Sequence, residues 1–161
     1  MVVGASAPAW AQEGAPKTTI MGGYTFLQDK SWDENLVWGW MISASQKIGT
    51  NTSVIGEMSA NYGEYGETRH SIERWAFLGG LRLQGGEALR PFLQVMAGLS
   101  RQAGDVGIQN GFLLQGGGGV DLVMNERFSL RGFGDYRLLY ELSEYYNQFR
   151  FGGGIVYNIR K

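Results

Sequence analysis

The 161-residue chain contains no cysteine, only three prolines and a single histidine, His70. The absence of cysteine excludes disulfides and thiolate metal sites, and one histidine excludes a histidine-rich metal site within a single chain. Neither sign of charge is in clear excess, since the formal net charge is −1 and no basic block occurs. The composition therefore offers no electrostatic footprint for nucleic acid, and we expect neither a cofactor nor a metal.

Long apolar runs are also missing. The longest strongly apolar stretch, 36–42, contains a glycine and falls well short of the roughly 18 residues that suggest a membrane helix. Strands that cross a membrane escape this criterion, because only alternate residues meet lipid. Glycine and aromatic residues are plentiful instead, with 26 glycines and 13% aromatics. Such an aromatic content suits surfaces that are apolar at one end and wet at the other.

The N-terminal segment 1–16 reads MVVGASAPAWAQEGAP, and its Ala9-Trp10-Ala11 fits the small-x-small pattern that precedes signal-peptidase cleavage. We interpret 1–16 as the remnant of an export signal and N-terminal tail, with cleavage near Ala11, and 17–161 as one domain. No lysine or arginine precedes the apolar part, so a flexible tail is the alternative.

From Lys17 onward, segments of alternating polarity are separated by turn signals. The pattern predicts eight strands, at 17–27, 36–48, 51–62, 69–84, 90–101, 111–123, 127–140 and 147–159. In the second strand, for example, Trp38, Trp40 and Ile42 share one face, whereas Gly39 and Met41 share the other. These segments exceed the roughly 5–6 residues of a typical soluble strand and suit the roughly 9–11 residues that cross a bilayer.

The connections between the predicted strands alternate in length. Those near 49–50, 84–89 and 125–126 are short, whereas the segments near 28–35, 62–69, 102–110 and 141–146 are longer and more polar. Short turns at one end and longer loops at the other are typical of transmembrane barrels. We therefore predict an all-β fold, an eight-stranded antiparallel up-and-down transmembrane β-barrel.

The polar faces of the predicted strands carry most of the charge. Eight residues are candidates for ion pairs in the lumen: Glu57, Arg74, Arg82, Asp121, Arg131, Asp135, Arg137 and Arg150. An eight-stranded barrel is narrow enough for side chains to fill it, which predicts an ion-paired lumen rather than an open pore. We interpret Asp135 and Arg137 as one such pair rather than as an acid/base couple. The alternative is a soluble barrel with these charges outside.

The aromatic residues divide into two predicted sets. Lipid-facing or girdle positions, rather than a ligand cage, are predicted for Trp38, Trp40, Trp75, Phe128, Tyr140, Phe149 and Tyr157. Contacts with a partner or with lipopolysaccharide, in or beside the outer loops, are predicted for Trp32, Tyr62, Tyr65, Tyr145 and Tyr146.

With this pattern, residues 17–161 resemble the small outer-membrane barrels of the OmpA-transmembrane-domain and OmpX class. The stretch 128–137, FSLRGFGDYR, is similar to the penultimate strand of that class. The stretch 150–157, RFGGGIVY, looks like its final-strand assembly signal, matched here by Arg150, Gly152, Ile155 and Tyr157. The terminal aromatic of that signal is missing. The resemblance implies the bacterial outer membrane, with its lipid and lipopolysaccharide, the barrel assembly machinery and other envelope proteins as partners.

Some barrels of this class modify lipid A through a Ser/His/acid set. Here His70, Ser71 and Glu73 are close in sequence, but neighbours on a strand point to opposite faces, so His70 and Ser71 are badly placed to share a proton. The glycine runs 79–80, 116–119 and 152–154 lack the Lys-Ser/Thr and the helix of a phosphate loop. We expect a non-enzymatic barrel with a structural or partner-docking role. A narrow small-solute channel, a lipid A-modifying enzyme and a soluble lipocalin-like carrier are the alternatives.

Overall fold

The computed structural model describes residues 18–29, 37–65, 70–104 and 107–159. Eight strands account for most of them: β1 (Thr18–Asp29), β2 (Val37–Lys47), β3 (Thr52–Tyr65), β4 (His70–Gln84), β5 (Leu89–Gly104), β6 (Gly107–Val123), β7 (Phe128–Glu141) and β8 (Glu144–Ile159). Within these described ranges there is no helix long and apolar enough to cross a membrane.

The strands form one closed sheet in which each pairs antiparallel with its neighbours in sequence and β8 pairs with β1. This confirms the predicted fold class. Registered partners can be followed once around the sheet from Thr19, through Ser45, Ile55, Gly80, Met96, Gln115, Arg137 and Gln148, back to β1 at Asp29. The circuit returns ten residues further along β1, a stagger that inclines the strands to the barrel axis, typically by about 35–45°.

The two faces of the sheet carry the opposite residue types from those of a water-soluble barrel. Among the described residues, thirty large hydrophobic side chains are exposed, whereas buried polar or charged residues outnumber buried hydrophobic ones by 18 to 13. Soluble monomers rarely expose contiguous apolar surface on this scale. The apolar face therefore points to lipid and the charged face to the lumen, which is inconsistent with the soluble-barrel alternative.

The connections at one end are short, at 48–51, 85–88 and 124–127, as predicted. We call this the turn end and the opposite one the loop end. The prediction of long loops at 102–110 and 141–146 is wrong, because β5 continues to Gly104, β6 begins at Gly107 and only Leu142 and Ser143 separate β7 from β8. Both residues adopt positive φ angles, 49° and 67°, as a two-residue hairpin turn requires. Neither is the glycine or asparagine that announces such a turn in a sequence.

Closure between β1 and β8 depends on two inward-facing glycines. A Cβ atom added to Gly154 would lie 2.6 Å from the Cα of Gly23, and one added to Gly23 would lie 2.9 Å from the Cα of Gly154. Since these obstacles are backbone atoms, they cannot move aside as the end of a flexible side chain could. The outward-facing Gly132 on β7 differs, since nothing lies within 4 Å of a Cβ atom added there.

We expect Gly154→Ala to lower the free energy of unfolding by about 1–3 kcal/mol, the usual cost of forcing a group into filled space. Gly132→Ala is the matched control and should leave stability unchanged or raise it by about 0.5–1 kcal/mol, because alanine restricts the unfolded chain. Denaturant titration of both variants in lipid vesicles measures the difference. Equal stability of the two variants would contradict close contact at the β1–β8 seam.

Candidate functional site in the barrel interior

The centre of the lumen is organised around Arg150 of β8, which is 1% exposed. Its Nη1 donates to Oε1 of Glu57 at 2.5 Å and its Nη2 to Oε2 at 3.1 Å. On its other side, Nε and Nη2 both donate to Oδ2 of Asp135, at 3.1 and 2.5 Å. One guanidinium thus holds two buried carboxylates by charge-assisted hydrogen bonds, which are about twice as strong as neutral ones.

The bonds to Glu57 cross the lumen. Glu57 belongs to β3, whereas Asp135 and Arg150 belong to β7 and β8, on the far side of an eight-stranded barrel. Arg137 of β7 also reaches across, since its Nη2 lies 3.4 Å from Oε1 of Glu57 and donates to Oγ of Ser59 at 3.3 Å. Side chains from opposite walls therefore meet in the middle of the barrel, where an open pore would need water.

Glutamine side chains complete this central cluster. Gln94 and Gln115 donate from Nε2 to the two oxygens of Asp135, at 3.1 and 3.3 Å. Their own carbonyl oxygens accept hydrogen bonds from arginines: Gln94 from Arg82 at 2.8 Å, and Gln115 from Arg137 at 2.6 Å. Sequence reasoning missed these amides because it followed charge alone. They share the alternating inward face with the charged residues, and that signal could have found them.

A second buried ion pair lies closer to the turn end. Arg131 donates from Nε and Nη2 to the two oxygens of Asp121 at 2.5 and 2.6 Å, and Gln84 donates to the same carboxylate at 2.7 Å. The guanidinium carbons of Arg131 and Arg82 each lie 4.7 Å from the ring centroid of Phe92. Phe92 therefore attracts both buried cations through its π system.

The interior charges balance among the described residues. Four arginines are buried, namely Arg82, Arg131, Arg137 and Arg150, together with the four carboxylates Glu57, Asp121, Asp135 and Glu141. Seven of the eight lumen candidates are thus buried, while Arg74 is half-buried and bonds to Gln102 at 2.6 Å. The predicted pairing of Asp135 with Arg137 is not formed. Asp135 bonds instead to Arg150, its registered partner on β8, and Arg137 donates to Gln115 and Ser59.

Inward-facing glycines leave room for this cluster. A Cβ atom added to Gly117 would meet the side chain of Asp135, and one added to Gly119 would lie 2.9 Å from the ring of Phe92. One added to Gly152 would lie 2.8 Å from the ring of Phe133, over which Arg150 is placed at 5.1 Å. The glycine runs therefore belong to the lumen wall beside the charged side chains.

The predicted lipid-facing aromatics lie on the outer face and pair across strands. Five are exposed, namely Trp38, Phe128, Tyr140, Phe149 and Tyr157, whereas Trp40 and Trp75 are half-buried in an edge-to-face contact at 5.6 Å. Phe128 and Tyr157 pair near the turn end, with ring centroids 5.3 Å apart. In β8, Ile155 and Tyr157 face outward while Arg150 faces inward.

The residues predicted to make contacts in the outer loops lie in different environments. Trp32 and the side chains of Tyr65 and His70 lie outside the described part of the chain, while Ser71 and Glu73 are exposed on β4. Tyr62 lies on β3, where its ring packs 5.4 Å from Trp38. Tyr145 is exposed on β8, with its ring 4.9 Å from Tyr140.

Tyr146 is not an outer contact, since its half-buried ring packs against the inner cluster of Ile55, Ala76, Leu78, Met96, Leu113 and Leu139. The sequence placed it in a loop because the hairpin turn carries no glycine. Strand pairing begins at Glu144 instead, and the alternation that follows turns Tyr146 inward.

No protein-family model matches the sequence, and no curated protein matches it. Solved structures do match the fold. Neisserial surface protein A superposes with a TM-score of 0.75 at 13% identity, covering 91% of this chain and all of that one. The outer membrane protein OprG of Pseudomonas aeruginosa gives 0.70 at 11% identity, over 92% and 98% of the two chains. The attachment invasion locus protein Ail of Yersinia pestis gives 0.57 at 12% identity, over 88% and 99%.

The chain has the fold of the small eight-stranded outer-membrane barrels. At such low identity the likeness extends to the fold and not to any site. The outer-membrane barrel fold accounts for the exposed apolar band and for strands of 11 to 17 residues.

Proposed function

We propose that this chain is a non-enzymatic protein of the bacterial outer membrane, a closed barrel with a structural or partner-docking role. The observation that carries the proposal is the cluster of Glu57, Asp135, Arg137 and Arg150, in which the bonds from Arg137 and Arg150 to Glu57 join opposite walls of the lumen. A solute would have to separate buried ion pairs to pass, which would leave buried charges uncompensated. The interior is therefore filled and closed to solutes, and the outer surface is left for contacts.

Three observations support the proposed location in the outer membrane. The exposed band of large apolar side chains requires lipid. The solved structures of like fold include proteins named for the outer membrane. The last strand carries Arg150, Gly152, Ile155 and Tyr157 in the pattern that resembles an assembly signal. In this proposal the turn end faces the periplasm, and the barrel assembly machinery inserts the chain among lipid and lipopolysaccharide.

The absence of enzyme activity is proposed from how the polar groups are used. The carboxylates of the central cluster are engaged by arginines and glutamines, so none is poised as a base beside a nucleophile. Ser71 is exposed on β4 next to His70 in sequence, and adjacent strand residues point to opposite faces. Lipid A from a deletion strain should match the parent strain by mass spectrometry, and an altered lipid A would contradict this reading.

Conductance tests the closed lumen against the narrow-channel alternative. We expect the wild-type barrel in planar bilayers to show no stepwise current, because side chains from opposite walls meet at its centre. A quadruple variant, Glu57→Ala, Asp135→Ala, Arg137→Ala and Arg150→Ala, removes the contacts that join β3 to β7 and β8 across the lumen and should produce steps if it folds. Arg101→Ala, on the exposed outer face of β5, is the matched control and should stay silent. Regular steps from the wild-type protein would overturn the proposal.

Native mass in mild detergent distinguishes the two roles. A particle much larger than one barrel with its detergent belt supports partner docking, and its co-purifying envelope proteins identify the partner. A lone barrel supports a structural role. Recovery of the chain in the soluble fraction would contradict the membrane address itself.

A further inference from the structure

The tip of the β7–β8 hairpin brings two acidic residues together at the loop end. Glu141 and Glu144 are registered partners on either side of the two-residue turn. Directly opposed side chains in an antiparallel pair share one face, with their Cβ atoms about 4.5–5.5 Å apart, and like charges there destabilise the pairing. Both residues of the turn between them, Leu142 and Ser143, are uncharged, so the turn supplies no countercharge.

A second observation concerns the Glu141 carboxylate itself. The residue is 7% exposed, and its Oε1 is fully buried without a hydrogen-bond partner in the described part of the chain. It is the one buried side-chain polar atom there that lacks a partner. A buried polar group left unsatisfied costs about 1–3 kcal/mol, and more when it is charged. The other buried carboxylates, Glu57, Asp121 and Asp135, each bind an arginine.

The neighbours of this pair hold it in place. Tyr146 donates its hydroxyl hydrogen to Oε2 of Glu144 at 2.9 Å while its ring packs on the inner apolar cluster. Gly111 on β6 lies beside Glu141, and a Cβ atom added to it would come within 3.3 Å of the Cβ of Glu141. Strand β6 therefore packs closely against the stem of Glu141, and the tyrosine anchors the second carboxylate.

We propose that Glu141 and Glu144 bind a divalent cation, Ca²⁺, at the loop end of the barrel. A bound cation turns the repulsion between the carboxylates into attraction and gives Oε1 of Glu141 its missing partner. Calcium accepts 6–8 oxygen ligands in flexible geometry, whereas Mg²⁺ demands a near-ideal octahedron and sheds water reluctantly. The burial of Oε1 favours a small ion over an organic ammonium or a guanidinium.

The affinity expected of this site is low. Within the described ranges no third His, Cys, Asp or Glu joins the two carboxylates, so water completes the shell. Calcium sites of extracellular modules bind at about 10⁻⁴–10⁻³ M, and we expect a dissociation constant in that range. Such a site fills only where calcium is abundant, and it would order the hairpin tip there.

The test uses the whole chain refolded in detergent without lipopolysaccharide, so that cations bound to lipid do not contribute. Calcium chloride is titrated by isothermal calorimetry after chelator treatment, and thermal unfolding is followed with and without the ion. We expect saturable binding and a rise in Tm for the wild type. Glu141→Gln and Glu144→Gln should each weaken binding at least tenfold and abolish the rise. Glu87→Gln, in the turn 85–88 at the other end, is the matched control.

The result that overturns the proposal is equally concrete. Wild-type protein that shows no saturable calcium binding and no rise in Tm would refute it, as would a Glu141→Gln variant with unchanged affinity. Magnesium that binds as tightly as calcium would refute the calcium assignment. Should one glutamine variant fail to fold, the wild-type titration and the other variant still decide. None of these outcomes depends on whether the lumen conducts.

Discussion

Arg150→Met should lower the free energy of unfolding by about 3–5 kcal/mol, because it leaves buried carboxylates without their cation. Glu57 would retain only the 3.4 Å contact to Arg137, and Asp135 only the amide hydrogen bonds from glutamines. Methionine fills similar space along the side-chain stem, so the expected loss reflects charge and hydrogen bonding rather than a cavity. Urea titration of the folded barrel in lipid vesicles provides the measurement.

Two further variants show whether the loss comes from unpaired charge. Arg101→Met removes an arginine from the exposed outer face and should change stability by no more than about 0.5 kcal/mol. Arg150→Met combined with Glu57→Gln and Asp135→Asn removes the cation and both anions together, and it should recover part of the loss. An Arg150→Met variant as stable as the wild type would show that the central cluster does not hold the barrel together.

The two faces of the barrel could be predicted from the sequence because the side-chain period of a strand is two. Once β7 is recognised, the spacing of Arg131, Asp135 and Arg137 at odd positions places all three on one face. The even number of strands and the lengths of the apolar segments then favour closure in a membrane. These inferences depend on local spacing alone, which is why the fold class was accessible.

The ion pairs within the lumen could not be predicted from the sequence, because they depend on strand register around the barrel. Glu57 and Arg150 are 93 residues apart, and they meet only because a stagger of ten residues brings β3 and β8 to matching heights. The tip at Leu142 and Ser143 escaped for another reason. Both residues adopt positive φ although neither is the glycine or asparagine that marks a hairpin turn. The sequence therefore suggested a longer loop.

Val95→Arg should lower the free energy of unfolding in lipid by about 2–4 kcal/mol, the cost of a cation at the bilayer midplane on a barrel's lipid face. Val95 is exposed near the middle of the apolar band on β5. The matched control is Leu89→Arg, which introduces the same charge on the same face at the first residue of β5. There the side chain can reach the interface, and the cost should fall to about 0–1 kcal/mol.

The comparison of the two arginines tests which way the sheet faces, independently of any activity. In a water-soluble barrel both positions would be solvated, and both substitutions would stay within about 0.5 kcal/mol of the wild type. A large cost at Val95 and a small one at Leu89 requires a medium that excludes charge at mid-height and accepts it at the rim. Only a lipid bilayer around the barrel provides that change in polarity with depth. The same exclusion of charge from lipid keeps Glu57, Asp135 and Arg150 in the lumen.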